Sequence, residues 1–157
     1  MRPINRNIIR SWILLAGGVL IGIFLVVISA AGYHTASSSG FCMSCHSMEF
    51  VGSQWQKSQH KQFACTECHM PDAGIATQLG YKAKAGIRDL FHETLRTYPA
   101  SLNLSDEGRN IVLGNCLRCH YSTIEATPMA QRGGDCIKCH RFLIHGRGPE
   151  KGGIKVE

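Results

Sequence analysis

The sequence predicts a mainly helical protein: one N-terminal membrane-spanning helix, then a small domain with little or no sheet. Three observations predict it. Trp12 to Tyr33 is a run of 22 residues without a charge. As a helix it spans about 33 Å, against a hydrocarbon core of about 30 Å. Behind it, the pattern C-x-x-C-H occurs four times and uses all eight cysteines. Between the second and third copies, Ile75 to Tyr98 reads as an amphipathic helix, with Ile75, Leu79, Ala83, Ile87, Leu90 and Leu95 at three- and four-residue spacings.

The four copies are Cys42 to His46, Cys65 to His69, Cys116 to His120 and Cys136 to His140. C-x-x-C-H is the attachment signal of a c-type haem. Cys42, Cys45, Cys65, Cys68, Cys116, Cys119, Cys136 and Cys139 each add across a haem vinyl group, and the adjacent histidine can reach iron. A lone C-x-x-C reads equally as a zinc knuckle or a redox dithiol. Four copies, each with histidine next and no cysteine left over, favour four covalent haem c groups. The roughly 120 residues beyond the anchor make a thin core by themselves. Four large apolar macrocycles would supply it, so the expected fold is a small haem-packed multihaem c-type cytochrome domain.

Net charge is +6, and Arg2, Arg6 and Arg10 account for half of that. No basic patch with interleaved aromatics accompanies it, which argues against a nucleic-acid partner. The arginines precede the apolar run, and no Lys or Arg follows it before Lys57. The charge bias places residues 1–11 in the cytoplasm, 12–33 in the inner membrane and the tetrahaem domain, 34–157, in the periplasm. Trp12 and Tyr33 stand where interfacial aromatics belong. A cleaved signal peptide is the competing reading, with Ser29-Ala30-Ala31 as its cleavage site. The run is longer than the roughly 7–15 residues of a signal core, which favours a retained anchor.

Thr35 to Gly40 is a short Ser-rich connector, so haem 1 is expected at the membrane surface. The motifs are paired by spacing: 42 and 65 start 23 residues apart, 116 and 136 start 20 apart. Two closely packed haem pairs, 42–69 and 116–140, are expected, joined by the helix of about 75–98 that Pro99 ends. Ser105-Asp106-Glu107 opens a further helix leading to Cys116. The tail beyond His145 reads as loose or held by a partner.

Four haems have eight axial positions. The four motif histidines, His46, His69, His120 and His140, offer four, and the candidates for the rest are His34, His60, His92 and His145, with Met48. His145 follows His140 too closely to cross to the other face of that haem, so haem 3 is assigned to it; His60 is assigned to haem 4 by the same logic. His34 and His92 read as having no iron. Met48 and His46 would compete for one face of haem 1, and a thioether is a known haem ligand. That count leaves haems 1 and 2 short of a second histidine. On the linking helix, Lys82, Gly86 and Asp89 share one face. If that face meets haem 1, the carboxylate can take a proton from quinol and the lysine can hydrogen-bond its oxygen. A solvated ion-pair stripe is the plainer alternative.

With C-x-x-C-H-x-M at Cys42 to Met48, three later motifs, one N-terminal anchor and the segment Tyr81 to Asp89, the chain resembles the NapC/NirT family of tetrahaem quinol dehydrogenases. Within it, the similarity is to the membrane-anchored small subunits of cytochrome c nitrite reductase. The resemblance implies that Met48 rather than His46 ligates haem 1, with Asp89 on the other side. It implies Lys82 and Asp89 in a quinol pocket, His60 and His145 as distal ligands, and a lysine from the catalytic partner subunit on haem 2. The implied activity is menaquinol oxidation, with electrons passed to a periplasmic multihaem nitrite reductase subunit. The alternatives are an anchored electron shuttle without a quinol site, or a quinol dehydrogenase feeding another periplasmic reductase. Nitrite reduction by this chain itself is disfavoured, since no motif carries lysine in place of histidine.

Overall fold

A computed structural model describes residues 6–99, 102–131 and 134–146. It divides into two compact units between Ala36 and Ser37. The first contains α1, Arg6–Ala36, with none of its residues buried. It is long and apolar enough to cross a membrane. The helix extends beyond the 12–33 run at both ends, because neither flank holds a proline that would stop it before Ala36.

The regular structure of the second unit, among its described residues, is all helical. Its order is α2 (Ser39–Cys42), a 3-10 turn (His46–Met48), α3 (Glu49–Lys57), α4 (Cys65–His69), α5 (Ile75–Leu95), α6 (Asp106–Ile124), α7 (Pro128–Gln131) and α8 (Cys136–His140). Ser105 caps α6 as expected, its Oγ accepting from Gly108 N at 3.1 Å, with Asp106 and Glu107 in the first turn. The linking helix ends at Leu95, before Pro99. Arg96 adopts the left-handed conformation at φ 51° and Thr97 N–H returns to the His92 carbonyl at 3.0 Å. The His92 ring is held at that cap, Nδ1 to Thr97 Oγ1 at 2.9 Å.

The second and third motifs meet as well, α4 packing along α6, besides the contacts of α2 with α4 and of α6 with α8. No residue of α5 is buried. The tail beyond Gly146 lies outside the described residues.

Among the described residues, no hydrophobic side chain is buried, while the polar Asn115 (5 % exposed) and Ser47 (8 %) are. The order comes instead from polar ties between motifs. Ser39 Oγ accepts from Cys65 N at 3.2 Å, joining the first motif to the second. Asn115 Nδ2 donates to the carbonyls of Cys68 and Met70, both at 2.8 Å, joining the second to the third. Arg118 adds to that joint by reaching the Glu67 carbonyl at 3.0 Å and its carboxylate at 3.1 Å. Arg109 on α6 pairs with Asp135, the N-cap of α8, joining the third to the fourth.

Candidate functional site

The first motif is built differently from the other three. α4 and α8 each hold both cysteines and the histidine in one short helix, and Cys116 to His120 lies within α6. In the first motif, α2 stops at Cys42 and Cys45 is extended, at φ −82° and ψ 139°. The turn that carries the histidine back beside its cysteines elsewhere is broken here. His46 begins the 3-10 turn and is exposed, whereas Met48 at its end is half-buried. Glu93 of α5 stabilises this geometry: its Oε1 accepts from the backbone N–H of His46 at 2.8 Å and of Ser47 at 3.4 Å. A hydrogen bond from the Ser47 side chain first, then these backbone bonds, hold the Glu93 carboxyl below the usual carboxylate range.

The other sulfur in this stretch is committed elsewhere. Met43 Sδ lies 3.8 Å from Gln56 Nε2. It packs so closely on α3 that a Cβ at Gly52 would stand 2.6 Å from Met43 Cγ. Glycine is required at 52 for that approach. Met48 is thus the methionine left to serve this motif.

α5 brings its charges to the same thiols. Burial, then the carboxylates of Glu93 and Asp89, push the Cys45 thiol up. The Cys42 thiol is raised by its hydrogen bond with Cys65 and by burial, against the pull of the Lys82 ammonium. Lys82 in turn is lowered by burial and hydrogen-bonds Ser37 Oγ. Asp89 also lies 3.7 Å from Arg88 across an exposed surface. The face of α5 that carries Lys82, Asp89 and Glu93 meets the first motif through Glu93, which accepts from His46 N and Ser47 N.

The histidines pair differently from the expectation. The His69 and His145 rings are 6.0 Å apart, and the His60 and His120 rings 6.1 Å apart. Two imidazoles on opposite sides of one metal ion, each bonded at about 2 Å, place their centroids roughly 6 Å apart. His145 accordingly stands with the second motif rather than the third, and His60 with the third rather than the fourth. The reason is the packing of α4 on α6, which brings motif 3 beside the segment just before motif 2. A ring of this chain therefore stands beside the second motif's histidine. His140 and the first motif have no such paired ring among the described residues.

α3, which the sequence reading passed over, holds both distal histidines. Val51 O lies 3.2 Å from His145 Nδ1, and Trp55 Nε1 donates to the His60 carbonyl at 3.2 Å. Ser58 Oγ accepts from His60 N at 3.1 Å. The loop after α8 comes close to the same helix: Gly146, at φ 62°, lies where a Cβ would meet Gln54 Oε1 at 2.7 Å.

The donors fit haem c. Thiols and imidazoles are correctly spaced, two ring pairs have the span of axial ligands, and the polypeptide alone supplies no apolar core. His60 Nδ1 is buried with no hydrogen-bond partner, the mark of a nitrogen meant for another group.

The family comparison decides the identity, since residues 5–112 match the N-terminal region of the NapC/NirT cytochrome c family. The chain belongs to the NapC/NirT cytochrome c family. As a member with four attachment motifs it carries covalently bound haem c. It is 33 % identical over 135 residues to cytochrome c nitrite reductase subunit NrfH of Nitratidesulfovibrio vulgaris, covering 85 % of this chain and 84 % of that one. It is 29 % identical over 144 residues to the cytochrome c-type protein NrfH of Wolinella succinogenes, covering 82 % and 81 %. A crystal structure of the cytochrome c nitrite reductase NrfHA complex bound to the HQNO inhibitor contains a chain with the same fold. Its TM-score is 0.76 at 29 % identity, over 92 % of this chain and 99 % of that one.

The ring pairs make a specific prediction. His145→Ala opens one face of haem 2, and His60→Ala one face of haem 3, so each variant converts one low-spin haem to high spin. Electron paramagnetic resonance on the haem-loaded variants checks this; unchanged low-spin signals in either would return that histidine to a packing role.

Several residues that order this site carry no chemical signature of their own: Glu93, Asn115, Arg118 and Ser39. The one signal open to sequence reading was an asparagine directly before a cysteine motif, inside a helix that otherwise had no use for it.

Proposed function

We propose that this NapC/NirT member is a membrane-anchored menaquinol dehydrogenase that delivers electrons to a periplasmic nitrite reductase catalytic subunit. The observation that supports it most is that the face of α5 holding Lys82 and Asp89 also holds Glu93, whose carboxylate fixes the broken histidine turn of the first motif. Bound haem c supplies the one-electron acceptors for the two electrons that quinol loses. Everything else falls to the chain. Met48 would hold the iron at the first motif in place of the exposed His46, and Asp89 lies beside the reacting quinol. Its exposed carboxylate accepts the two hydroxyl protons in turn and passes each to water as the quinol gives up its two electrons and becomes quinone. Lys82, kept from full hydration by burial, hydrogen-bonds the quinol oxygen and fixes its place. Ser37 orients that lysine.

The relatives' names carry the partner: NrfH is a subunit of a nitrite reductase, and the matched structure is an NrfHA complex. The corresponding subunit is proposed for this chain. The lysine that family resemblance placed on haem 2 belongs more naturally on haem 4, because His140 is the motif histidine left without a second ring. α1 supplies the single-pass anchor, with the N-terminal arginines on the cytoplasmic side.

Purification from native membranes tests the partner, and vesicles holding the full haem-loaded chain test the activity. A menaquinol analogue is expected to reduce the haems without any added mediator. If dithionite reduces all four while the quinol reduces none, the chain is a shuttle without a quinol site.

A further inference from the structure

Glu93 takes no part in haem attachment, yet its carboxylate reaches the one motif that departs from the helical pattern. In an α-helix each N–H returns to the carbonyl four residues back. α4 and α8 run unbroken from first cysteine to histidine, so the histidine N–H has that carbonyl, of the first cysteine, to return to. The bond brings the imidazole back over its cysteines. In the first motif the corresponding donor is His46 N–H, and Glu93 Oε1 takes it at 2.8 Å. The same oxygen accepts from Ser47 N at 3.4 Å. The carboxylate therefore occupies the donor that a helix from Cys42 to His46 would need.

Those two N–H groups open the 3-10 turn His46–Met48, where a helical turn leaves its first donors unpaired. Cys45 stands at the cap position and makes no side-chain hydrogen bond there. Its sulfur is committed to the haem vinyl group. The cap has to come from elsewhere, and an acid 47 residues from His46 provides it. With the turn so capped, the Cys45 carbonyl accepts from Met48 N at 3.0 Å, which fixes the backbone that carries the thioether. One carboxylate thus blocks the histidine's helical turn and closes the methionine's.

We propose that Glu93 is the positioning residue that decides the axial ligand of haem 1: it keeps His46 off the iron and sets Met48 in its place. Without it, His46 N–H returns to the Cys42 carbonyl, the motif takes the helical form of the other three, and imidazole displaces thioether. A thioether raises a haem's potential relative to an imidazole, so Glu93 also holds haem 1 above the potential that His46 would give it. The inference rests on Met48 being an iron ligand and not on quinol oxidation.

The test uses the full, haem-loaded chain, with redox titration and electron paramagnetic resonance as readouts. Met48→Ala first identifies haem 1, as the haem whose potential and resonance change. Glu93→Ala should lower the potential of that same haem and alter its resonance, with four haems still bound. The double variant carries the decision, because residues acting through one ligand are not additive. In the Glu93→Ala background, Met48→Ala should change nothing further, since the thioether has already left the iron. Glu93→Leu keeps the side chain's bulk without an acceptor, and it replaces Glu93→Ala if that variant binds fewer than four haems. An unchanged haem 1 in a fully loaded Glu93 variant overturns the proposal. So does a further change when Met48→Ala is added, which would show Met48 still bound and Glu93 acting on packing alone. Fewer than four haems in both Glu93 variants gives the carboxylate a structural role and overturns it as well. If Met48→Ala by itself leaves every haem unchanged, the ligand reading of Met48 fails, and the proposal falls with it.

Discussion

In Asp89→Asn, reduction of the bound haems by a menaquinol analogue is expected to slow by on the order of a hundredfold or more, the usual cost of losing one positioned base. The substitution keeps the side chain's shape and its place among Cys45, Arg88 and Glu93, and removes only the ability to accept a proton. Dithionite, which needs no proton acceptor, should still reduce all four haems at the parental rate. Lys82→Met should act on the same step through a lost hydrogen bond, raising the quinol concentration needed more than it lowers the limiting rate. It also removes the contact with Ser37, so Lys82→Arg, which keeps a donor, separates orientation from charge. If Asp89→Asn and Lys82→Met both accept electrons from quinol at parental rates, α5 presents only a solvated charged face and the quinol site lies elsewhere.

Asn115→Leu should be the most damaging change away from the chemistry. Asn115 is 5 % exposed and satisfies two carbonyls, of the half-buried Cys68 and Met70, with one amide group. Leucine has similar volume and leaves both acceptors without donors. Each unsatisfied buried carbonyl costs about 1–3 kcal/mol, against a total stability of about 5–15 kcal/mol for a domain. The melting temperature of the haem-loaded protein should fall by about 10 °C or more. The joint between motifs 2 and 3 should loosen with it, which would appear as altered low-spin resonances of those haems. Arg118→Ala, at a more exposed tie between the same two motifs, should cost far less. A melting temperature for Asn115→Leu within a degree or two of the parent would show that the Arg118 contacts suffice to hold that joint.

Covalent chemistry and membrane chemistry were legible because both are written in contiguous residues. C-x-x-C-H needs only its own five positions to be recognised, and an uncharged run of 22 residues needs only its length. Helical periodicity placed Lys82 and Asp89 on one face, and the Ser105 cap predicted the start of α6, since those rules act within a turn or two. The end of α5 was misplaced for a local reason: a left-handed Arg96 stops the helix before Pro99 can, and arginine gives no warning of that conformation.

What only the tertiary structure decided is which separate segments meet. Sequence distance could exclude His145 from the haem of His140 but could not choose among the other three. The packing of α4 on α6, fastened by the Asn115 amide, and the hold of α3 on both distal histidines made that choice. The same packing joined motifs that spacing had assigned to different pairs. The apolar stripe on α5 was visible in the sequence as a face seeking burial. What covers it is not written there, because hydrophobic periodicity reports that a surface avoids water and never what it meets instead.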